Sequence, residues 1–159
     1  TPLETVSMLM IAEFDPVHPE RLISEPKCLS RPLYGFENTE HTINNEGPYA
    51  FYYHNKIYLA YSGGDARGYL YAIGMLTAND GDDLCDLSVW EKAKTPIASF
   101  ATIPGEYGPG HNSFFWDRDQ NLWIAYHAVT SFEEKIVSSG MRRVYFEQDK
   151  TPRFDVIVE

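Results

Sequence analysis

Two stretches of the sequence share one plan: a Gly-Pro corner, an aromatic strand, a turn and a second apolar strand. The first covers residues 44–64 and the second covers residues 108–128. Aromatic and β-branched residues at every second position give a strand one face that can be buried, so each stretch predicts an antiparallel hairpin. Leu59-Ala60-Tyr61-Ser62 lines up with Ile124-Ala125-Tyr126-His127, and the turn of the second copy is longer. The chain therefore contains an internal repeat of one hairpin.

The first copy presents a carboxylate where its first strand begins. One face of this strand carries Tyr49, Phe51 and Tyr53, and Asn55 and Lys56 are predicted to form the turn. Pro48 cannot donate to a central ladder, so the strand is expected to start after it. Glu46 then lies at the mouth of the strand, where scaffolds often place functional side chains. The alternative for Glu46 is an ordinary surface position in a turn.

Repeated hairpins of this length predict a β-propeller, in which each blade is a small antiparallel sheet and the first strands converge on a central axis. Glu46, just before the first corner, and His111, just after the second, would then approach the axis from different blades. No stretch shows a sustained helical period, so an all-β chain with almost no helix is expected. Two unrelated hairpins in a β-sandwich interaction domain are the alternative.

Six motifs follow one another along the chain. They are Asn45-Glu46-Gly47-Pro48, Tyr58-Leu59-Ala60-Tyr61-Ser62, Gly74-Met75-Leu76-Thr77, Ser88-Val89-Trp90-Glu91-Lys92, Tyr107-Gly108-Pro109-Gly110-His111-Asn112-Ser113 and Ala125-Tyr126-His127-Ala128. In this order they resemble the later part of glycoside hydrolase family 43, and the likeness extends over residues 11–156. Within the family they are most similar to the α-L-arabinofuranosidase and β-xylosidase members.

The resemblance implies a five-bladed β-propeller that hydrolyses arabinosides or xylosides with inversion and requires no cofactor. Residues 1–159 would form a single domain, the C-terminal half of that propeller. Glu46 takes the position of the general acid. His111 takes the position of a residue that lines the axis, contacts substrate and often binds a central calcium or sodium ion or a water.

The resemblance also assigns residues to the sugar pocket. Phe36 is expected to stack on a sugar, and Glu37 or Arg31 is expected to bind hydroxyl groups. The family carries an arginine near the substrate in its last blade, a place that Arg143 or its neighbour Arg142 could fill. For the residues around Phe36 the alternative is a solvated loop with a surface salt bridge.

Inverting hydrolysis needs a second carboxylate, which activates water about 6.5–9.5 Å from the general acid. The family draws this base Asp, and another Asp that tunes the acid, from earlier blades. Here the candidates Asp15, Asp65, Asp117 and Asp119 all lie in predicted turns. The chain alone is therefore expected to be an incomplete glycosidase, with a non-catalytic carbohydrate-binding or vestigial propeller as the alternative.

Open blade edges and an apolar face between blades favour association, so a homo-oligomer or a complex with a missing N-terminal half is expected. Lys and Arg total 13 against 23 for Asp and Glu, a formal charge of -10, which excludes nucleic acid as a partner and suits a neutral sugar. No apolar run predicts a membrane span, and no leader opens the chain. The expected location is the cytoplasm, with Cys28 and Cys85 as reduced thiols.

Overall fold

The computed structural model describes residues 6–131, 133 and 136–156, and this part of the chain is all-β, as predicted. Two single 3-10 turns, Gly35–Glu37 and Leu87–Val89, are its only helical elements. The strands are β1 (Val6–Ser7), β2 (Leu9–Ile11), β3 (Lys27–Ser30), β4 (Asn38–Thr39), β5 (Thr42–Tyr53), β6 (Lys56–Gly63), β7 (Ala72–Asn79), β8 (Glu91–Lys92), β9 (Tyr107–Trp116), β10 (Leu122–Val129), β11 (Val137–Arg143), β12 (Tyr145–Phe146) and β13 (Pro152–Arg153).

Two sheets hold most of these strands, and each contains one copy of the repeat. The larger has the order β1-β5-β6-β7-β8, with β4 also pairing with β5, and the smaller has the order β11-β10-β9. Strands β2 and β3 form a separate pair, as do β12 and β13. Every described pairing is antiparallel except that of β1 with β5. Sequential strands thus lie side by side in each sheet, as in propeller blades.

The turn of the first hairpin differs from the prediction by one residue. Tyr53 pairs with Lys56, so the turn residues are His54 and Asn55, with φ of 46° and 62°. A two-residue turn with positive φ at both positions matches the right-handed twist of the flanking strands, and Asn tolerates this conformation well. Lys56 therefore belongs to β6 and not to the turn.

The turn of the second hairpin is longer because a carboxylate organises it. Trp116 pairs with Leu122, and the Asp117 side chain accepts hydrogen bonds from the Asn121 backbone N–H and the Trp123 indole. The Trp123 bond, followed by those from Asn121, lowers the pKa of Asp117 to about 2. Asp117 is therefore a structural residue of this turn.

Both Gly-Pro corners are β-bulges inside long strands. On β5, Glu46 pairs with Ser62 and Tyr49 pairs with Ala60, so Gly47 and Pro48 face one residue of β6. On β9, Gly108 and Pro109 take the same position, and the two glycines have φ of 56° and 57°. Strand β5 therefore does not start after Pro48, because a bulge accommodates a residue that cannot donate to the ladder.

The main core lies between the two sheets. Aromatic rings from both hairpins meet there, with Phe51 4.6 Å from Phe114 and 4.9 Å from Tyr58, measured between ring centroids. Aliphatic side chains from β7, β10 and the following segments complete this core, namely Ile73, Met75, Ile103, Leu122, Ile124 and Val144. Phe51 and Tyr53 of the face predicted for β5 thus contribute to this core, whereas Tyr61 of β6 packs in a second cluster with Leu9 and Leu76.

Gly74 on β7 provides space for a buried tyrosine on β6. Its cross-strand partner is Tyr61, and a Cβ at position 74 would lie 2.4 Å from Tyr61 Cζ. We expect Gly74→Ala to lower the free energy of unfolding by about 1–3 kcal/mol, because this strand cannot move away from a fully buried ring. Urea unfolding measures the change. Gly35→Ala is the control, since nothing lies within 4 Å of a Cβ there, and equal stability of the two variants would contradict the prediction.

Candidate active site

Glu46 is half-buried on β5, and its carboxyl group is held by a tyrosine. The Tyr71 hydroxyl donates a hydrogen bond to Glu46 Oε1 at 2.6 Å. The bulge that follows Glu46 places it beside Ser62 and on the same face of the sheet as Tyr49 and Ala60. Glu46 therefore lies at a corner of the hairpin, where the sequence predicts an acid. The catalytic role of Glu46 stays a prediction.

Tyr71 lies immediately before β7 and is fully buried. Its ring packs so closely on Gly110 of β9 that a Cβ there would lie 2.0 Å from Tyr71 Cε1. The ring also stacks on His127, with centroids 5.7 Å apart and planes inclined by 9°. Burial, and then the bond to Glu46, raise the pKa of the Tyr71 phenol far above its usual value, and a hydrogen bond with Ser62 acts in the opposite direction. Tyr71 is thus a neutral hydrogen-bond donor.

His111 comes from the second copy of the repeat and reaches the same cluster. Its backbone N–H donates to Ser62 Oγ at 2.7 Å, and its φ of 50° marks a second bulge in β9. The His111 ring covers Gly47, the residue after Glu46, where a Cβ would lie 3.4 Å from His111 Nδ1. The structure therefore brings together Glu46 and His111, the two residues at the heads of the repeated hairpins.

His127 joins the cluster from β10. It stacks between Tyr71 and His111, with ring centroids of the two histidines 6.4 Å apart. Burial lowers the pKa of His127, and His111 acts in the same direction. The sequence did not assign Tyr71 or His127 to the site. A signal for His127 was present, because it occupies the repeat position of Ser62, which also lies in this cluster.

Glu37 is fully buried and lies in a separate cluster. Its Oε2 accepts hydrogen bonds from the Leu33 and Tyr34 backbone N–H groups, and its Oε1 accepts from the Tyr61 hydroxyl at 2.7 Å and from Lys92 Nζ at 2.5 Å. The alternative of a solvated loop is therefore wrong for Glu37. A sugar hydroxyl could reach this carboxylate only if one of these bonds broke, so substrate binding by Glu37 stays a prediction.

Phe36 and Arg31 lie near this buried cluster. Phe36 is half-buried and stacks on Tyr34, with ring centroids 6.3 Å apart. The backbone carbonyl of Arg31 accepts a hydrogen bond from Lys92 Nζ at 2.7 Å. A sugar-binding role for Phe36 or Arg31 stays a prediction.

The two arginines of β11 have different partners but line the same open cavity. Arg142 Nη2 pairs with Glu106 Oε1 at 2.7 Å, and its Nε donates to the Tyr126 hydroxyl, which in turn donates to Glu106. Arg143 lies over the Tyr145 ring, at 5.1 Å from its centroid, on the wall of an open cavity of about 530 Å³. Substrate binding by Arg143 stays a prediction.

The metal predicted at His111 would need ligands beyond this one imidazole. Among the described residues, the group of three ligating side chains within 4.8 Å of one another is Glu13, Asp83 and Cys85, which does not include His111. The metal at His111 stays a prediction. Cys28 and Cys85 are both free. Within residues 6–131, 133 and 136–156, no helix is long and apolar enough to cross a membrane.

Comparison with known proteins places these residues in context. The family model described as glycosyl hydrolases family 43 matches residues 6–152. An extracellular exo-alpha-(1->5)-L-arabinofuranosidase of Streptomyces avermitilis is 29% identical over 149 residues, which cover 89% of this chain and 31% of the relative. A protein of the same name from Streptomyces chartreusis is 38% identical over 101 residues, covering 63% of this chain and 30% of the relative.

Solved structures give the same result for the fold. An alpha-L-arabinofuranosidase from Lactobacillus brevis superposes with a TM-score of 0.79 at 29% identity, covering 92% of this chain and 46% of that one. A thermostable family-43 glycoside hydrolase also gives 0.79, at 26% identity, covering 96% of this chain and 48% of that one. The predicted partial propeller is confirmed, and the chain spans about a third of its curated relatives and about half of these solved ones.

The expectation of a cytoplasmic protein is wrong. Both Streptomyces relatives are named as extracellular enzymes. The expectation was based on the lack of a recognisable leader, and this feature carries no information when the sequence covers only part of its relatives.

Proposed function

This chain belongs to glycosyl hydrolase family 43, and on that basis we propose that it supplies part of an active site that hydrolyses arabinose- or xylose-containing oligosaccharides with inversion. Glu46 is the general acid of this site. The observation that carries the proposal is the meeting of Glu46 and His111, from two copies of the repeat, around the buried Tyr71 hydroxyl. The extracellular Streptomyces relatives support an exported protein that meets its sugar outside the cell.

The chemistry assigned to Glu46 is proton donation to the oxygen of the leaving group as the glycosidic bond breaks. Glu46 is only partly exposed, so its carboxyl group can face a sugar on one side while the protein holds it on the other. A second carboxylate must activate water on the opposite face of the sugar. The Asp117 carboxylate accepts a hydrogen bond from the Asn121 backbone N–H within its own turn. Asp65 accepts a hydrogen bond from the Arg67 backbone N–H in another turn. We therefore assign the base to a neighbouring polypeptide.

Association would supply that base, either in a homo-oligomer or with the missing N-terminal half of the propeller. Strand β11 is the edge of its sheet and leaves Val137 and Met141 about 60% exposed. An exposed edge strand with apolar side chains favours pairing with another polypeptide. This arrangement predicts that turnover depends on assembly.

The test is hydrolysis of aryl α-L-arabinofuranosides and aryl β-D-xylosides by the full chain over a range of protein concentrations, alone and mixed with a polypeptide that carries the N-terminal half of the propeller. Proton NMR identifies the anomer of the sugar first released. We expect an inverted anomer and a rate that rises more steeply than the protein concentration, because the base comes from a neighbouring polypeptide. A retained anomer would contradict inversion. Oligosaccharide binding without turnover at any concentration would favour the non-catalytic carbohydrate-binding protein instead.

A further inference from the structure

We propose that Tyr71 is a positioning residue for Glu46: by donating to Oε1 it reserves Oε2 as the oxygen that carries the transferable proton. This inference deepens the proposed function and rests on it. A protonated carboxyl group has one hydroxyl and one carbonyl oxygen, and a hydrogen bond donated to one oxygen favours the proton on the other. During the reaction the Oε2 proton passes to the glycosidic oxygen, and Tyr71 keeps its own proton and continues to donate to the resulting carboxylate.

The direction of the Tyr71 bond follows from its neighbours. The His111 backbone N–H donates to Ser62 Oγ at 2.7 Å, so the Ser62 hydroxyl hydrogen is free to point towards the Tyr71 oxygen, its other partner. A phenol oxygen that accepts from Ser62 directs its own hydrogen towards Glu46 Oε1, 2.6 Å away. Each group thus donates a hydrogen bond to the next, in the order His111, Ser62, Tyr71 and Glu46.

The Tyr71 ring is fixed, so the carboxyl group adjusts to the tyrosine and not the reverse. Tyr71 is 0% exposed, it touches the Gly110 backbone on one side, and it stacks on His127 on another. The positions of these contacts are set by β9 and β10 of the other sheet. The hydroxyl is therefore a rigid reference point for a carboxyl group on a bulged strand, which is the kind of support that a catalytic side chain needs.

Tyr71→Phe tests this inference with Tyr58→Phe as the matched control. Tyr58 is also buried, and its hydroxyl donates to the Lys150 backbone carbonyl at 2.7 Å, outside the Glu46 cluster. Each variant loses the hydrogen bond that a buried phenol donates, and Tyr71→Phe also loses the one that Ser62 donates, so urea unfolding should show the larger loss of stability for Tyr71→Phe. We expect only Tyr71→Phe to lower kcat, by about tenfold or more, for leaving groups that need protonation, with little change in KM. With a dinitrophenyl leaving group, which departs without protonation, kcat should stay close to that of the parent.

The outcomes separate this inference from the proposed function. If the parent is active and the two variants, Tyr71→Phe and Tyr58→Phe, have the same kcat on every leaving group, the positioning role is overturned. The proposed function then remains intact. A parent without turnover at any concentration, both alone and mixed with a polypeptide that carries the N-terminal half of the propeller, would contradict the proposed function. The hydrogen bond between Tyr71 and Glu46 can also be detected directly by proton NMR. We expect an exchange-protected Tyr71 hydroxyl resonance that disappears in Tyr71→Phe and shifts in Glu46→Gln. Absence of such a resonance would overturn the inference without reference to activity.

Discussion

Glu46→Gln is expected to lower the hydrolysis of aryl glycosides with poor leaving groups by about 10²–10⁴-fold, the usual contribution of a general acid. Glutamine keeps the shape of the side chain and an oxygen that can accept from Tyr71, but it has no proton to transfer. Stability should therefore change little while turnover falls. Initial rates on a series of aryl arabinofuranosides, together with urea unfolding of parent and variant, measure the two effects.

Glu91→Gln is the control for this experiment, because Glu91 is an exposed residue of β8 outside the Glu46 cluster. We expect it to retain the parental rate on every substrate. The loss in Glu46→Gln should also shrink as the leaving group improves, since a stable aryl oxide needs no proton. A loss of less than tenfold on poor leaving groups would mean that another group is the acid.

Lys92→Met is expected to lower the free energy of unfolding by about 3–5 kcal/mol, which is the usual cost of leaving a buried charge without its partner. Glu37 is 0% exposed and Lys92 is its only cationic partner among the described residues, while Lys92 Nζ also lies 5.1 Å from the centroid of the Tyr34 ring and 5.3 Å from that of Tyr61. Methionine keeps most of the length of the side chain but removes the charge. Urea unfolding of the variant measures the loss.

Two further variants make this result specific. Lys94→Met removes a lysine from an exposed position two residues along the chain and should change stability little. Adding Glu37→Gln to Lys92→Met should recover part of the lost stability, because the remaining carboxamide carries no uncompensated charge. If the double variant is less stable than Lys92→Met alone, the hydrogen bonds of Glu37 outweigh its charge, contrary to the expectation.

The hairpins and the two heads of the repeat could be predicted because their signals are local. Gly-Pro corners and alternating aromatics lie within each copy, so the sequence alone brings Glu46 and His111 close to the corners of their hairpins. The turn was placed one residue late because His54, like Asn55, adopts positive φ, and histidine is not a strong signal for that conformation. The error was local and did not affect the predicted faces of the strands.

Tyr71 and the surroundings of Glu37 could not be predicted, because their partners come from distant parts of the chain. A tyrosine beside a strand most often packs in a core, and only the approach of Gly110 and Ser62 gives the Tyr71 hydroxyl its orientation. Glu37 is polar, and its loop has the composition of a surface segment. Its burial requires Tyr61 and Lys92, and no periodicity in the sequence links the three residues.

The bulge at Gly47 and Pro48 makes the orientation of Glu46 depend on the number of residues between it and the core. Glu46 and Phe51 are five positions apart, so strict alternation would place them on opposite faces, and the additional residue of the bulge lets Glu46 share the face of Phe51. Deletion of one residue at the corner would make the separation even, so Glu46 would keep this face in a regular strand. One further residue at the corner would instead turn the acid to the opposite face with every core residue unchanged. In alignments of family members, an insertion of one position here is therefore a stronger indication of lost activity than a deletion.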